Sequence, residues 1–263
     1  MKDQTVRCWG SNTSGQVGDG TYSSASNPVP VTGLAGITQL AVGRDHRCAL
    51  LNSGAVRCWG EGEFGQLGNG QLYTTSSTPV PVTGVSDAVQ LAAGYQHTCA
   101  LLKNTTVTCW GWNGTGQIVG GSGNVATPVG QSLSRITQVV GTAYGTCAIQ
   151  ATTVQCWGMM LRGGNAKLRQ MSNLPSIAQL SAGQSHVCAL SNAGTVYCWG
   201  ENDFGQLGAS EPATTEAPIQ ILGLTDVARL VSGSTHTCAQ LKDNSVKCWG
   251  GGYGASPTVV FDP

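Results

Sequence analysis

A chain of 263 residues with 38 glycines carries about twice the usual share of that residue, while charged residues, at 10%, fall well below the usual ~25%. Basic and acidic residues number 13 each and 40% of the chain is hydrophobic, which excludes intrinsic disorder and removes the cationic face of a general nucleic-acid binder. No apolar run approaches the ~18 residues of a membrane span, so no membrane insertion is expected.

From the N-terminus, Met1-Lys2-Asp3-Gln4 leads into strand-like sequence and not into the apolar core of a signal peptide. An exported protein would therefore be read here in its mature form or with its signal encoded outside this sequence. After Trp9-Gly10 come Gly15-Gln16-Val17-Gly18, a polar Thr/Ser loop, Pro28-Val29-Pro30-Val31, Ile37 to Gly43, and His46-Arg47-Cys48-Ala49-Leu50. A tight turn then leads to Val56-Arg57-Cys58-Trp59-Gly60, and the order begins again. The stretches 29–31, 37–42, 46–51 and 55–59 are short, rich in β-branched or small apolar residues and bounded by Gly, Pro, Asn and Ser, which predicts four strands per unit.

Cys-Trp-Gly starts at Cys8, Cys58, Cys109, Cys156, Cys198 and Cys248, at spacings of 50, 51, 47, 42 and 50 residues. Six of the 7 tryptophans thus occupy one position of a roughly fifty-residue unit. No window holds a 3.6-residue apolar period. Four short strands repeated at this spacing predict an all-β protein, a β-propeller forming a single domain over 1–263, in which a ring of blades protects the sheet edges. Within each unit the register follows from the cysteines. With Cys48 facing Cys58, Leu50 faces Val56 and Asn52-Ser53-Gly54 forms the loop, with Gly at the left-handed position. In the copy with Cys147 and Cys156, one residue shorter, Ile149 still faces Val154 across an Ala151-Thr152 turn.

At these residues the chain resembles the regulator of chromosome condensation repeat family, seven-bladed propellers whose unit reads Trp-Gly-x-Asn-x-x-Gly-Gln-Leu-Gly and then Ala-Gly-x-x-His-x-x-Ala-Leu. The matching stretches are Trp59 to Gly68, Trp199 to Gly208, Ala93 to Leu101 and Ala182 to Leu190. The resemblance covers nearly the whole chain. It implies a platform whose loops meet another protein, since the wider family looks like small-GTPase exchange factors, plant ultraviolet photoreceptors, ubiquitin-ligase modules and secreted bacterial enzyme inhibitors. No insertion resembles the exchange factor's wedge, and the photoreceptor's Gly-Trp-Arg-His-Thr pattern is missing.

Six Cys-Trp-Gly strands stand against only five Cys-Ala strands, centred on Cys48, Cys99, Cys147, Cys188 and Cys238. The chain closes on Pro257-Thr258-Val259-Val260, like Pro28 to Val31, and opens on Thr5 to Trp9. Joining the ends would give a sixth blade without its Ala-Gly and His-x-Cys strands. The expectation is five full repeats plus an incomplete sixth, as part of a longer propeller or as an open ring closed by another copy.

Eleven cysteines are ordinary only in a secreted protein. Ten form opposed pairs on adjacent strands, Cys48/Cys58, Cys99/Cys109, Cys147/Cys156, Cys188/Cys198 and Cys238/Cys248, at a Cα separation of about 4.5–5.5 Å that a disulfide tolerates. Cys8 is left with its partner strand missing. Two other readings remain: reduced cysteines as small apolar filler, and a zinc site from His46, Cys48 and Cys58, against which no Cys-x-x-Cys occurs. In the family the matching histidine looks structural, tying backbone between strands. Gly145 stands in its place in the third copy.

No acid, base and nucleophile converge, so the chain is expected to be non-catalytic and without a cofactor or metal. Binding should use positions that differ between otherwise equal blades. One set lies between Ala-Gly and His: Arg44-Asp45, Tyr95-Gln96, Ala143-Tyr144, Gln184-Ser185 and Ser234-Thr235. A second is the degenerate fourth unit, with Met159, Met160, Arg162, Lys167 and Arg169. Trp112, outside the repeat position, is a third. The reading is a disulfide-laced propeller, secreted or at the cell surface, binding a protein partner through aromatic and Arg anchors on one face. The alternatives are a self-assembling structural or adhesive subunit joined through the incomplete blade, an inhibitor of a secreted enzyme, and a small-GTPase regulator.

Overall fold

The computed structural model describes residues 5–118, 123–159 and 167–263, and all regular structure among them is β. Two compact units divide at Val139/Val140. In the first, β1 (Arg7–Gly10) and β2 (Ala25–Pro30) form a two-stranded antiparallel sheet. Two four-stranded meanders follow: β3 (Ile37–Val42), β4 (His46–Leu51), β5 (Val56–Gly62) and β6 (Thr74–Pro81), then β7 (Ala88–Ala93), β8 (His97–Leu102), β9 (Val107–Gly111) and β10 (Val125–Gly130). The division falls on β11 (Ile136–Gly141), first strand of the sheet continued by β12 (Gly145–Gln150), β13 (Thr153–Gly158) and β14 (Arg169–Gln170). The second unit adds β15 (Ile177–Ala182), β16 (His186–Ser191), β17 (Val196–Glu201) and β18 (Thr214–Gln220), and then β19 (Val227–Ser232), β20 (His236–Leu241), β21 (Val246–Gly250) and β22 (Gly254–Phe261).

The expected four strands are present in the full repeats; the outermost strands β6, β18 and β22 are longer than the Pro-Val-Pro-Val stretch, whereas β14 has only two residues. The chain ends do not share a blade as expected from joining them. Pro257 to Val260 lie in β22, where Thr258 pairs with Cys248, and so complete the fifth four-stranded sheet. Among the described residues, the incomplete sheet is formed by β1 and β2.

The predicted hairpin register is observed: Cys48 faces Cys58, Leu50 faces Val56, and Ile149 faces Val154 across the shortened turn, with Ala151 at φ 55°. All five opposed pairs are disulfides, each with its Cα atoms 4.1 Å apart, closer than expected from the sequence. That spacing belongs to the non-hydrogen-bonded type of antiparallel pair, in which facing side chains lie nearest each other. Cys8 is a free thiol.

Consecutive sheets are joined by three recurring contacts. The Gln39 side-chain amide donates to Leu91 O (2.9 Å) while its carbonyl accepts Leu91 N–H (2.8 Å). Gln90 does the same with Val139, and Gln179 with Leu230. Each amide thereby covers the open edge of the next sheet's first strand, where bare N–H and C=O groups would otherwise face outward. Second, the Gly-Gln-x-Gly loop of one repeat cups the tryptophan of the next. Trp59, Trp110 and Trp249 donate their indole N–H to Gln16 O, Gln66 O and Gln206 O at 2.9–3.1 Å. A Cβ on Gly18 would lie 2.7 Å from Trp59 Nε1, so only glycine lets the loop close. Trp9, with no such loop over it among the described residues, is 63% exposed, whereas the other five repeat tryptophans are fully buried.

Third, His46 Nε2 meets Thr98 Oγ1 at 2.9 Å and His186 Nε2 meets Thr237 Oγ1 at 2.8 Å. The histidine is structural as expected: it reaches a threonine of the next sheet, and for His46 the Tyr95 backbone in the turn between β7 and β8 is a further partner. Its ring lies on the preceding glycine: a Cβ on Gly43 would sit 2.1 Å from the His46 ring. The third repeat solves the same space differently. Thr142 replaces the glycine and Gly145 the histidine, and the Thr142 hydroxyl accepts Gly145 N–H (3.0 Å) and donates to Gly145 O (3.2 Å). The threonine that would answer the missing histidine is Val187, fully buried.

This exchange predicts a mutational cycle in the first full repeat. His46→Gly leaves a cavity and deprives the buried Thr98 hydroxyl of its imidazole, costing about 3 kcal/mol. Adding Gly43→Thr and Thr98→Val, the third repeat's own set, should restore more than half of that loss in the denaturant midpoint. A triple variant no more stable than His46→Gly would refute the compensation.

Candidate functional site

The turns between Gly43 and His46 and their counterparts are held so tightly that they form rigid rims. Gly43, Gly94, Gly183 and Gly233 each donate N–H to the carbonyl of the histidine three residues on, at 2.9 Å. Neighbouring turns also bond to each other. In the first unit Arg44 N–H donates to Tyr95 O. In the second unit Ala143 N–H donates to Gln184 O and Gln184 N–H to Ser234 O. The variable residues singled out in the sequence therefore share one rim within each unit.

The first unit's rim carries the strongest anchors. The Arg44 guanidinium lies 5.8 Å from the Tyr95 ring centre and pairs with Asp45 at 3.5 Å. Asp45 O accepts Glu61 N–H, and Gln96 O accepts Trp112 N–H at 2.7 Å. Trp112 is half-buried, with Phe64 6.5 Å from it. Around Glu61 the rim is acidic: burial and the Asp45 and Glu63 carboxylates hold its carboxyl above the usual carboxylate range, against the Gln96 amide and Arg44. Gln66 donates to the same carboxylate at 3.0 Å. The result is a plate of Arg44, Tyr95, Trp112 and Phe64 beside an acidic patch, on backbone already fixed. Glu61 and Phe64 were not singled out in the sequence, because they fall inside the Trp-Gly-to-Gly-Gln loop that recurs at Gly15-Gln16, Gly116-Gln117 and Gly205-Gln206.

In the second unit Tyr144 is exposed at the rim and its carbonyl accepts Met159 N–H at 2.8 Å, so Met159 belongs there. Tyr253 packs edge-on against His236 with ring centres 5.5 Å apart. Arg169 is not part of the rim. It sits on the outer strand β14, opposite Cys156, and pairs with Glu216 of β18. Lys167 is exposed two residues before β14, and Met160 and Arg162 lie outside the described residues. Of the basic, Met-rich run, the described residues Met159 and Arg169 thus lie in different places, one at the rim and one on the outer strand. The zinc reading meets His46 and Cys48 already engaged, one with Thr98 and the other in a disulfide. Burial holds His46 down to about 3 and His97 and His186 down to about 4.

Comparison with known proteins places this architecture. The family model for the regulator of chromosome condensation (RCC1) repeat matches residues 5–50, 53–101 and 193–240, and a second RCC1 repeat model matches 37–66, 88–117 and 177–206. The chain is similar to the ultraviolet-B receptor UVR8 of Arabidopsis thaliana, 29% identical over 240 residues, covering 82% of this chain and 53% of the receptor. It thus spans about half of that relative's length. Among solved structures it resembles human WBSCR16 (TM-score 0.84, 22% identity) over 98% of this chain and 76% of that one. It also resembles Prp20p of Saccharomyces cerevisiae (TM-score 0.82, 22% identity), over 98% and 74%. The likeness in fold is that of a β-propeller. With the repeat matched over more than half of its length, and sheet after sheet built on the same joints, this chain belongs to the regulator of chromosome condensation (RCC1) repeat family.

Proposed function

We propose that the chain is a non-catalytic, extracellular protein-binding β-propeller whose contact surface is the rim bearing Arg44, Tyr95, Trp112 and Phe64. The observation that carries this reading is the cation–aromatic plate of Arg44 and Tyr95 set on turns that hydrogen-bond to one another. Such anchors concentrate binding energy, and fixed backbone leaves little ordering to be done on association. The extracellular part is supported by the five disulfides, which persist in oxidising compartments. The protein-binding part gains support from Prp20p, a protein of similar fold with binding properties to Gsp1p and histones. The non-catalytic part is supported by the histidines, which are spent on joints between sheets.

The test is affinity for the partner recovered from the extracellular fluid of the source. Arg44→Ala, Tyr95→Ala and Trp112→Ala should each weaken it by 10-fold or more, about 1.4 kcal/mol each. Arg169→Ala, on the outer strand, should leave it unchanged. Equal losses from Arg169→Ala and from the rim variants would reject the rim as the contact.

A further inference from the structure

The sequence holds three Asn-x-Ser/Thr triplets, at Asn12, Asn104 and Asn113. Two of them are by-products of the loop that follows Trp-Gly. Asn12 and Asn113 are buried, 0% and 5% exposed, and each side-chain oxygen accepts the N–H five residues on, that of Val17 at 2.9 Å and that of Ile118 at 2.8 Å. The Asn12 amide nitrogen is engaged as well, donating to Thr21 O and Ser23 O at 3.0 Å. Asn202, at the same repeat position, is tied in the same way to Leu207 N–H, Ala209 O and Pro212 O, although Asp203 and Phe204 follow it and no triplet exists there. The asparagine at this position closes a loop, and a bulky group on its nitrogen would force that loop open.

Asn104 differs in each respect. It is exposed in the turn between β8 and β9, and its side-chain oxygen accepts the Thr106 N–H (3.1 Å) and hydroxyl (2.7 Å). Its amide nitrogen donates to no group among the described residues. The last full repeat shows that the turn has no use for that nitrogen. Asp243, which has none, takes the same place and accepts the same two bonds from Ser245, at 2.9 and 2.6 Å. Thr105 holds φ 64° where Gly54 and Gly194 stand in two other repeats, and its N–H donates to Leu102 O while its carbonyl accepts Ile136 N–H. The triplet is thus presented at the surface in one fixed geometry. Between His97 at the rim and Leu102, β8 covers roughly 17 Å, so the turn lies at the opposite end of that strand from the rim.

We propose that Asn104 is an acceptor for Asn-linked glycosylation, and that of the three triplets it alone carries a glycan in the folded chain; this rests on the extracellular reading above. In the step, Asn104 Nδ2 attacks the anomeric carbon of an oligosaccharide carried on a lipid diphosphate. A C–N bond forms and the C–O bond to the diphosphate breaks. The lipid diphosphate leaves with the electron pair, and a base of the transferase takes the amide proton. A glycan at this turn leaves the rim open to a protein partner.

The test expresses the whole chain behind a secretion signal in a eukaryotic host that has such a transferase. Glycans are released enzymatically in heavy-oxygen water, which leaves a labelled aspartate at each modified asparagine, and the peptides are mapped by mass spectrometry. Label is expected at Asn104 and at neither Asn12 nor Asn113. Thr106→Ala should abolish it and Thr106→Ser should keep it. Asn104→Asp should abolish it with the unfolding midpoint unchanged, since Asp243 serves the same turn elsewhere. Asn12→Asp, which loses the bonds to Thr21 O and Ser23 O, should lower that midpoint. Secreted protein that is bare at Asn104, or folded protein labelled at Asn12 or Asn113, overturns the proposal. A chain that stays inside the cell counts against the extracellular reading, and the same map on the retained, disulfide-bonded protein still decides whether Asn104 is modified. Rim variants such as Tyr95→Ala should leave the label unchanged, so the contact surface and the glycan site fail or stand separately.

Discussion

Reduction of the five disulfides should lower the thermal unfolding midpoint by roughly 20 °C or more, because together they contribute stability on the scale of a whole domain. Each bridge closes a loop of 9 or 10 residues in sequence separation. Restricting the unfolded chain over such a loop is worth about 2–3 kcal/mol per bridge in the chain-entropy account. Five independent rungs therefore sum to on the order of 10 kcal/mol, against the roughly 5–15 kcal/mol of net stability that folded domains possess. The order of reduction is also specified. Nine of the bridged cysteines are buried and Cys238 is half-buried, so the Cys238–Cys248 bridge should open first. Calorimetry with and without a phosphine reductant measures the shift, and alkylation followed by peptide mapping gives the order. A shift of only a few degrees would mean that packing between the sheets, and not the cross-links, carries the stability.

Acid should destabilise the fold well above the range in which carboxylates titrate. His46, His97 and His186 are buried neutral, and desolvation holds them down to about 3, 4 and 4; Arg47 and His97 add to the effect on His46, and His236 adds to that on His186. A histidine whose folded value lies below its unfolded value of about 6.5 stabilises the fold fully above pH 6.5. That contribution is lost as the pH falls below 6.5, because the unfolded chain takes up the proton first. At pH 5 the loss is about 2 kcal/mol for each histidine and about 6 kcal/mol for the three. Urea unfolding at pH 7 and pH 5 measures it, and the triple variant Gly43→Thr, His46→Gly, Thr98→Val should remove about a third of the difference. Stability that stays flat from pH 7 to pH 5 would contradict the buried, neutral histidines.

The architecture was legible because each hairpin carries two cysteines at a fixed register and each repeat one tryptophan at a fixed position. The joints between sheets were equally written in the sequence but needed a different comparison, between one repeat and the next. Thr98 and Thr237 follow repeats that have a histidine, and Val187 follows the one repeat that has Gly145 instead. Gln39, Gln90 and Gln179 recur at one position for the same reason. Trp9 looks identical to its five counterparts in sequence and is exposed in the structure, where no loop covers it among the described residues, whereas Trp59 is covered by the loop of Gln16. Arg44 and Tyr95 were singled out by their variation, and their turns are joined by a hydrogen bond. Arg169 lies apart from these turns, on the outer strand β14 opposite Cys156, where it pairs with Glu216.

The central claim is that sulfur cross-links lie within each hairpin and leave Cys8 of β1 as a free thiol. Peptide mass spectrometry on protein isolated under alkylating, non-reducing conditions tests it most directly. The account predicts five hairpin disulfides, Cys48–Cys58, Cys99–Cys109, Cys147–Cys156, Cys188–Cys198 and Cys238–Cys248, with the alkyl group on Cys8. Bridges between different repeats, or alkylation of all eleven cysteines, would contradict it.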